Sequence, residues 1–425
     1  MDKSLDRKLA AIHADPHCRE FILADAKDAD MAFGIGAPGR SPEAHSGEVR
    51  FRTLEEYRDQ IRAITRQGLV DVMLMSASTN YALTITERLF DQSHVTPAVR
   101  ANDTTDVHIA RGSRYVGAPS RPHRSASLDH IQCGHLDCAP DERALGANLG
   151  LYSVTFNNDP VFDLATLERF HAFREEAERK RFRYFLEVFD PNVSGAMAPE
   201  KVPAYVNDMI ARMLGGVAPP GRPLFLKMVY HGPKALEELF RYDPHLVIGI
   251  LGGSAGTTLD AFHLLAEAKK YGAKVALFGR KINNAENQLA FVQFLRLIAD
   301  DVIGPIEAVK AYHAVLGKLG IRPHRSLDLD LKLQAFSTSY GGATASVSVP
   351  GQTPSAALPP APTAQACQCH SQSQPASAQA VAAPAPNGKA ASSEIPTHSN
   401  GRPDFSRMDV AQRLAYHRER LGLGR

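Results

Sequence analysis

The fold is decided by apolar runs such as Leu-Phe-Leu-Lys-Met-Val-Tyr at residues 224–230. Hydrophobicity that is continuous rather than alternating indicates a strand covered on both faces, as in a parallel sheet. Most of these runs are followed by a helical pattern. Eight of them occur: Phe21–Asp25, Val72–Ser76, Thr96–Arg100, Gly150–Thr155, Tyr184–Phe189, Leu224–Val229, Leu246–Leu251 and Lys274–Phe278.

Eight strand–helix units in about 320 residues predict an α/β fold, a (β/α)₈ barrel over residues 1–335. A doubly wound open sheet is the rival, but it needs no eighth strand and usually has a phosphate loop after its first strand. Residues 102–148 are too long for an ordinary connection and show no convincing helix. We expect a lid or an insertion there.

Composition narrows the functional class. The 425 residues carry 48 basic and 46 acidic side chains, a net charge of +2 that gives no electrostatic footprint for nucleic acid. No apolar window is long enough for a membrane span, and the charged first residues are unlike a signal peptide. Five cysteines do not suggest a disulfide framework. We therefore expect a cytoplasmic enzyme.

The C-terminal part differs from the rest in composition. Residues 336–401 are rich in Ala, Pro, Ser and Gln and contain hardly any large aliphatic side chain, which predicts a disordered linker. The spacing of apolar residues within 402–425 then predicts a short amphipathic helix. Because an isolated helix of this length is marginal in water, we expect it to dock on the protein's own body or on a protein partner.

Lys227 is the sharpest candidate for chemistry. Side chains alternate along a strand, so if Phe225 and Val229 face the barrel interior, Lys227 faces it as well. Burial lowers the pKa of an ammonium group and frees the amine as a nucleophile towards carbonyls. The alternatives are a salt bridge to an interior carboxylate such as Glu187, or a lysine that reaches out of the strand end.

Two glycine turns predict a phosphate site. Gly252-Gly253-Ser254 follows the seventh strand and Gly279-Arg280 follows the eighth. Glycines let the backbone approach an anion, helix N-terminal amides point at it, and an arginine adds a bidentate contact. Turns after strands seven and eight are the usual phosphate position in barrel enzymes.

These motifs resemble the class I, Schiff-base aldolases. The resemblance rests on Lys-Met-Val-Tyr-His-Gly at residues 227–232, Gly-Ile-Leu-Gly-Gly-Ser at 249–254 and Leu-Phe-Gly-Arg-Lys-Ile-Asn at 277–283. It is closest to the archaeal-type fructose-bisphosphate aldolases and their tagatose-bisphosphate and deoxyribose-phosphate relatives. It is clearest over residues 224–319.

The resemblance implies a role for each matching residue. Lys227 corresponds to the imine-forming lysine and Asp25 to the first-strand acid, and the phosphate-binding residues fall on Gly252, Gly253, Ser254, Gly279 and Arg280. Candidates for proton transfer are, in order, Asp25, Tyr230, Glu187 and Tyr152. The substrate implied is a phosphorylated ketose or deoxy-keto sugar acid, with no cofactor and no resident metal; we also expect a homo-oligomer.

The sequence departs from the family at the first strand, where the family's Asp-His-Gly is replaced by Asp25-Ala26-Lys27, with Asp28 and Asp30 close by. The seventh strand lacks the second lysine of the deoxyribose-phosphate branch, which argues against that substrate. Two other functions stay open. One is an isomerase or epimerase in which Lys227 is purely electrostatic, and the other is a non-catalytic barrel tethered to an assembly by its C-terminal helix.

Two clusters lie in the long third connection. His130, Cys133, His135 and Cys138 offer zinc donors, but their spacing matches no common finger and favours an ordinary lid segment. Four arginines, at positions 111, 114, 121 and 124, form with His123 either a solvated loop or a second contact that closes over substrate.

Overall fold

Eight parallel strands close into a barrel in the computed structural model, which describes residues 1–36, 38–39, 51–107, 113–253, 256–334, 336–337, 346–347, 396–397, 407 and 412. The strands are β1 Ile22–Lys27, β2 Val72–Met75, β3 Thr96–Arg100, β4 Leu149–Thr155, β5 Arg183–Phe189, β6 Leu226–Met228, β7 Gly249–Leu251 and β8 Val275–Phe278. Each strand pairs with its neighbours in sequence. The ring is closed by β1 on β8, with Ile22 opposite Val275. The predicted barrel is confirmed, and the open sheet is excluded.

Helices surround the strands. They are α1 Ser4–Ala14, α2 Ala29–Phe33, α3 Leu54–Gln67, α4 Ala77–Asn80 continued by a π-helical turn Tyr81–Thr86, α5 Leu128–Gln132, α6 Pro160–Arg179, α7 Val202–Gly215, α8 Pro233–Tyr242, α9 Thr258–Lys270, α10 Arg280–Asn283, α11 Gln288–Ala299, α12 Pro305–Lys318 and α13 Leu327–Asp330. Local signals set their starts. Thr53 and Thr257, for example, begin α3 and α9 with reciprocal capping boxes.

The lower part of the barrel lumen is apolar. Inward side chains of the strands, among them Val72, Phe185 and Phe225, form one buried cluster. The rings of Phe185 and Phe225 stack with centroids 4.5 Å apart. Three residues of α1 belong to the same cluster: Leu5, Leu9 and Ile12. The N-terminal helix therefore closes the barrel at the N-terminal ends of the strands.

The segment predicted as a lid or insertion is an ordered connection where the structure describes it. Asp103–Thr104 pairs antiparallel with Pro122–His123, and α5 follows. Arg121 and Arg124 lie over the rings of Phe162 and Phe173, at 5.0 and 5.6 Å from the ring centroids. These two arginines of the basic cluster thus face α6 rather than the barrel mouth; Arg111 lies outside the described residues.

The chain divides into two units, Met1–Ser355 and Ala356–Arg425. Within the first, Phe336–Ser337 pairs antiparallel with Ser346–Val347. In the second, the structure describes only residues 396–397, 407 and 412, so the predicted linker and terminal helix lie almost wholly outside the described residues. In the part of the chain that is described, no helix combines the length and apolarity needed to cross a membrane.

Candidate active site

Lys227 lies in the barrel lumen, at the C-terminal end of β6. Its neighbour Phe225 belongs to the inner apolar cluster, and the intervening Leu226 belongs to the outer one, as strand alternation requires. Lys227 is 1% exposed and Glu187 is 0% exposed. The two residues are register partners on β5 and β6, and Lys227 Nζ lies 2.5 Å from Glu187 Oε1. The predicted inward orientation is observed, together with the carboxylate partner that the sequence offered as an alternative.

A polar layer extends from Glu187 towards β3. Ser153 Oγ donates a hydrogen bond to Glu187 Oε2 at 2.7 Å, and Arg100 Nη1 donates to Ser153 Oγ at 3.2 Å. Arg100 Nη2 lies 3.6 Å from Glu187 Oε2. Asn102 fixes the backbone of Ser153 from both sides, since its amide nitrogen donates to the Ser153 carbonyl and its oxygen accepts from the Ser153 N–H. The lumen thus carries lysine, carboxylate, hydroxyl and guanidinium groups in one connected network.

The acid that reaches this network from the end of β1 is Asp28, the residue after the strand, and not Asp25. Asp28 Oδ2 accepts a hydrogen bond from Arg100 Nε at 2.5 Å, and the same guanidinium reaches Glu187. Asp25 pairs in register with Met73 and Phe278, whose side chains belong to the outer cluster. Because side chains opposite one another in register share a face, Asp25 points out of the barrel. The structure therefore does not bring Asp25 to Lys227.

Asp25 instead belongs to a second buried ion pair, on the outer face of β1. Lys27 Nζ lies 3.0 Å from Asp25 Oδ2, and both side chains are 0% exposed. Lys27 also donates to Asn283 Oδ1 of α10, whose amide nitrogen donates to the hydroxyl of Tyr57 on α3. Burial raises the pKa of Asp25 and lowers the pKa of Lys27, while the charge of each partner opposes the shift of the other. This pair links the barrel to its helices.

The two predicted tyrosines also face outward. The Tyr230 hydroxyl donates to Glu267 Oε1 of α9 at 3.1 Å. Tyr152 stacks on Phe173 of α6, with ring centroids 4.3 Å apart, and burial raises its pKa. Of the four candidates for proton transfer, the structure brings only Glu187 to Lys227.

The glycine turns lie after β7 and β8, as predicted. The Gly252 N–H donates to the Leu277 carbonyl at 2.8 Å and closes the strand ladder. A Cβ on Gly252 would meet the Phe278 ring at 2.1 Å, and Gly253 has φ +52°, so both positions favour glycine. Gly279 precedes α10, whose first residue is Arg280. Ser254 lies outside the described residues.

Two further groups lie where the chain leaves the strands. Asp30, on α2, accepts a hydrogen bond at 2.5 Å from Ser76, the residue after β2. Burial raises the pKa of Asp30 to about 6. After β5 and β6, Asp190 Oδ1 lies 2.9 Å from His231 Nε2. Acids with a raised pKa and His–Asp pairs are common parts of proton-transfer sites.

The cysteine cluster of the third connection lies on α5 and the loop after it. The Sγ atoms of Cys133 and Cys138 lie next to each other in this loop, and the expectation of reduced thiols stays a prediction. Ligand atoms of these cysteines and Glu142 lie within 4.8 Å of one another, and His135 Nε2 is 3.3 Å from Glu142 Oε1. His130 bonds Ser127 instead. The prediction that no metal resides there stays a prediction.

Sequence reasoning gave no role to Asp28, Arg100 or Ser153. Arg100 was recognisable as a charged residue at the end of an apolar strand, because functional residues of barrel enzymes lie at the C-terminal ends of the strands. Ser153 and Asp28 carried no comparable signal. Their importance depends on the register of β3, β4 and β5 and on the length of β1.

No family model matches the sequence, and no curated protein matches it. Solved barrels do. Fructose-bisphosphate aldolase from Slackia heliotrinireducens DSM 20476 is similar in structure, with a TM-score of 0.51 and 13% identity over 76% of this chain and 93% of that chain. The likeness is one of fold.

Two solved structures of archaeal aldolase give weaker matches. They are an archaeal fructose 1,6-bisphosphate aldolase and an archaeal aldolase with its catalytic lysine covalently bound to the carbinolamine intermediate of its substrate. Their identities are 17% and 18%, and each match has a TM-score of 0.47 and covers 70% of this chain and 100% of the other. The barrel architecture that this chain shares with a solved aldolase is that of the Slackia enzyme.

Proposed function

We propose that the protein is a class I aldolase that cleaves or forms a carbon–carbon bond in a phosphorylated ketose or deoxy-keto sugar acid through a Schiff base on Lys227. One observation carries the proposal: an inward lysine, 1% exposed, lies against a buried carboxylate at the C-terminal end of a barrel strand. That end of the barrel is where barrel enzymes hold their reacting groups.

The Lys227–Glu187 contact supplies the first proton transfer. An ammonium group is not a nucleophile, so Lys227 must lose a proton before it attacks a carbonyl. Glu187 Oε1, at 2.5 Å, is positioned to accept that proton. The neutral amine then adds to the ketose carbonyl, and the carbinolamine loses water to give a protonated imine. Ser153 and Arg100, which both contact Glu187 Oε2, stabilise the ionised carboxylate that accepts the proton.

Cleavage of the carbon–carbon bond needs a second base. It removes the proton from the hydroxyl on the carbon beyond the bond that breaks, and the bonding electrons move into the imine to give an enamine and an aldehyde. Protonation of the enamine and hydrolysis by water then release the ketone and restore Lys227. We assign the second base to Asp28, which reaches the same network through Arg100. Asp25 and Tyr230, which face outward, have no part in this scheme.

The phosphate-binding role of Gly252, Gly253, Ser254, Gly279 and Arg280 is part of the proposal. A phosphate held after β7 and β8 fixes the substrate at a distance from the reacting bond and contributes orientation. The aldolase names of the structurally similar proteins support a phosphorylated sugar as the substrate class.

One observation favours a second candidate, a barrel isomerase or epimerase that forms no imine. A lysine 2.5 Å from a carboxylate is an ion pair, and an ion-paired ammonium can act purely electrostatically on a substrate oxyanion. Glu187 and Asp28 would then exchange protons with substrate carbon. This candidate predicts turnover that is insensitive to borohydride.

Borohydride trapping distinguishes the two. The purified protein is incubated with a panel of phosphorylated ketoses and keto acids, reduced, digested and analysed by mass spectrometry. We expect one substrate to leave a reduced adduct on the peptide that contains Lys227. Turnover of a substrate without any adduct would contradict imine chemistry and favour the isomerase.

The chain offers a matched control. Lys27 is equally buried in the same barrel and is also paired with a carboxylate, but it faces outward. Lys227→Met should abolish the adduct, and Lys27→Met, if folded, should keep it. Cytoplasmic location, homo-oligomer formation and a protein partner for residues 402–425 stay predictions.

A further inference from the structure

A second cavity lies outside the strand ring, between α9, α10, α11 and the segment after α12. It has a volume of about 730 Å³. We call it the basic cavity, because its walls carry Arg52, Lys281, Arg322, His324 and Arg325. Asn283, which also lines it, accepts a hydrogen bond from Lys27 on the outer face of β1. The basic cavity therefore borders the segments that follow β7 and β8, beside the outer-face pair of Lys27 and Asp25.

Its charges are not balanced. Among the described residues of the lining, Glu286 is the one carboxylate. Its oxygens already accept hydrogen bonds from the Tyr312 hydroxyl at 3.0 Å and the His324 N–H at 2.7 Å. Among the described residues, no carboxylate oxygen lies within 4.0 Å of the charged nitrogens of Arg52, Lys281, Arg322 or Arg325. Cations gathered around a cavity repel one another, and a bound anion removes that repulsion.

Lys281 is the residue that most needs explaining. It is 9% exposed, and its Nζ donates to the Gly256 carbonyl at 2.8 Å. Burial, reinforced by Arg325, lowers its pKa to about 8. The carboxylates that oppose this shift come from three other places in the fold: Asp260 on α9, Asp330 on α13 and Glu286 after α10. A lysine is seldom buried against a carbonyl alone.

We propose that the basic cavity is a second anion site, which binds a small polyphosphorylated anion. Cations approach it from separate elements: Arg52 from before α3, Lys281 from α10, and Arg322 and Arg325 from the segment after α12. Such a spread suits a ligand with two or more phosphate groups rather than a single carboxylate. The proposal does not depend on the chemistry assigned to Lys227.

Inorganic pyrophosphate is the probe. In isothermal titration calorimetry of the full chain at pH 8, we expect saturable binding at one site. The anion stabilises the charged form of Lys281, so binding should take up protons, and the measured heat should differ between buffers of different ionisation enthalpy. Lys281→Met should remove the part of the proton uptake that comes from this amine.

A matched pair of double variants tests the location. Arg322→Gln/Arg325→Gln should weaken pyrophosphate binding at least tenfold. Lys310→Gln/Lys318→Gln removes the same charge from exposed positions on α12, outside the cavity, and should change the affinity less than threefold. Equal weakening in the two variants would show general electrostatic attraction and overturn the proposal, as would unchanged binding in both, which would assign pyrophosphate to the lumen.

A measurement on the wild-type protein avoids any folding defect of the variants. Arg322 and Arg325 are exposed and should react with phenylglyoxal. Saturating pyrophosphate should protect both from modification, as followed by peptide mass spectrometry. Absence of protection, or absence of any pyrophosphate binding, would also overturn the proposal.

Discussion

The barrel contains two buried lysine–carboxylate pairs that differ in the face of the strand they occupy. Lys227 and Glu187 face the lumen, where Ser153 and Arg100 extend the pair into a polar network. Lys27 and Asp25 face the helices. Burial of the two lysines is nearly identical, so burial alone does not separate the lysine proposed to react from the one that joins two layers of the fold. The direction of the side chain does.

The largest effect should come from removing the inner lysine. Lys227→Met deletes the nucleophile and should reduce turnover of any trapped substrate by about 10³-fold or more, because covalent catalysis has no substitute in the site. Turnover is measured with the substrate found by borohydride trapping. Unfolding in urea should be cooperative for the variant and the wild type alike.

Retained turnover in Lys227→Met would show that the inner lysine is needed neither as a nucleophile nor as a charge. Turnover by the wild-type protein without any adduct would favour the isomerase, in which the lysine acts electrostatically.

The outer pair should matter for stability instead. Asp25→Asn leaves the Lys27 ammonium buried without its compensating charge, and loss of one partner of a buried pair costs about 3–5 kcal/mol in the free energy of unfolding. Urea unfolding at pH 7 measures this loss in the free energy of unfolding. The double variant Lys27→Met/Asp25→Leu removes both charges and should recover most of the loss.

If Lys27→Met/Asp25→Leu were no more stable than Asp25→Asn, the loss in the free energy of unfolding would come from packing at this position rather than from the uncompensated charge.

Glu187→Gln tests the proton acceptor of the inner pair. A glutamine keeps the shape but cannot take the proton from Lys227, so the rate of adduct formation should fall by about 10²-fold. The rate is followed by quenching with borohydride at successive times. Ser153→Ala, which removes one hydrogen bond to Glu187 and keeps the carboxylate, should reduce the rate far less. Equal rates for Glu187→Gln and the wild type would exclude Glu187 as the acceptor.

Asp30 should give the smallest effect. Its folded pKa of about 6 lies above its unfolded value of 3.8, so the folded state binds the proton more tightly. Its contribution is therefore favourable below pH 4 and is lost as the pH rises towards 6. Asp30→Asn should be more stable than the wild type at pH 7 by about 2 kcal/mol, and the gain should shrink at pH 4. A gain independent of pH would show that titration of Asp30 is not its source.

The sequence was sufficient for the architecture. Every strand end except the start of β7, which lies three residues later than predicted, is within two residues of its predicted position. The agreement is close because each strand is a continuous apolar run between polar segments. The orientation of Lys227 was also predictable, since Phe225 and Val229 fix which face of β6 is inside. Both inferences use information within a few residues of chain.

The first-strand acid could not be predicted in this way. In the sequence the apolar run ends at Asp25, yet β1 continues to Lys27 because the side chains of Asp25 and Lys27 compensate each other's charge. A strand that is hydrophobic on both faces gives no alternation to show which face is inside, so Asp25 and Asp28 could not be told apart. The network of Arg100, Ser153 and Glu187 depends likewise on pairing between strands far apart in sequence.

Helix α1 closes the lumen at the N-terminal ends of the strands, opposite the end at which Lys227 lies. Leu5, Leu9 and Ile12 pack beneath the apolar layer of the lumen, so a substrate of the proposed reaction would reach Lys227 from the C-terminal ends of the strands. In the proposed scheme, a bound substrate would then hinder the exchange of protons with bulk water. Part of the hydrogen delivered to the product carbon should then come from the substrate itself. The fraction of label transferred from a labelled substrate hydroxyl to that carbon would measure how far proton exchange with bulk water is hindered.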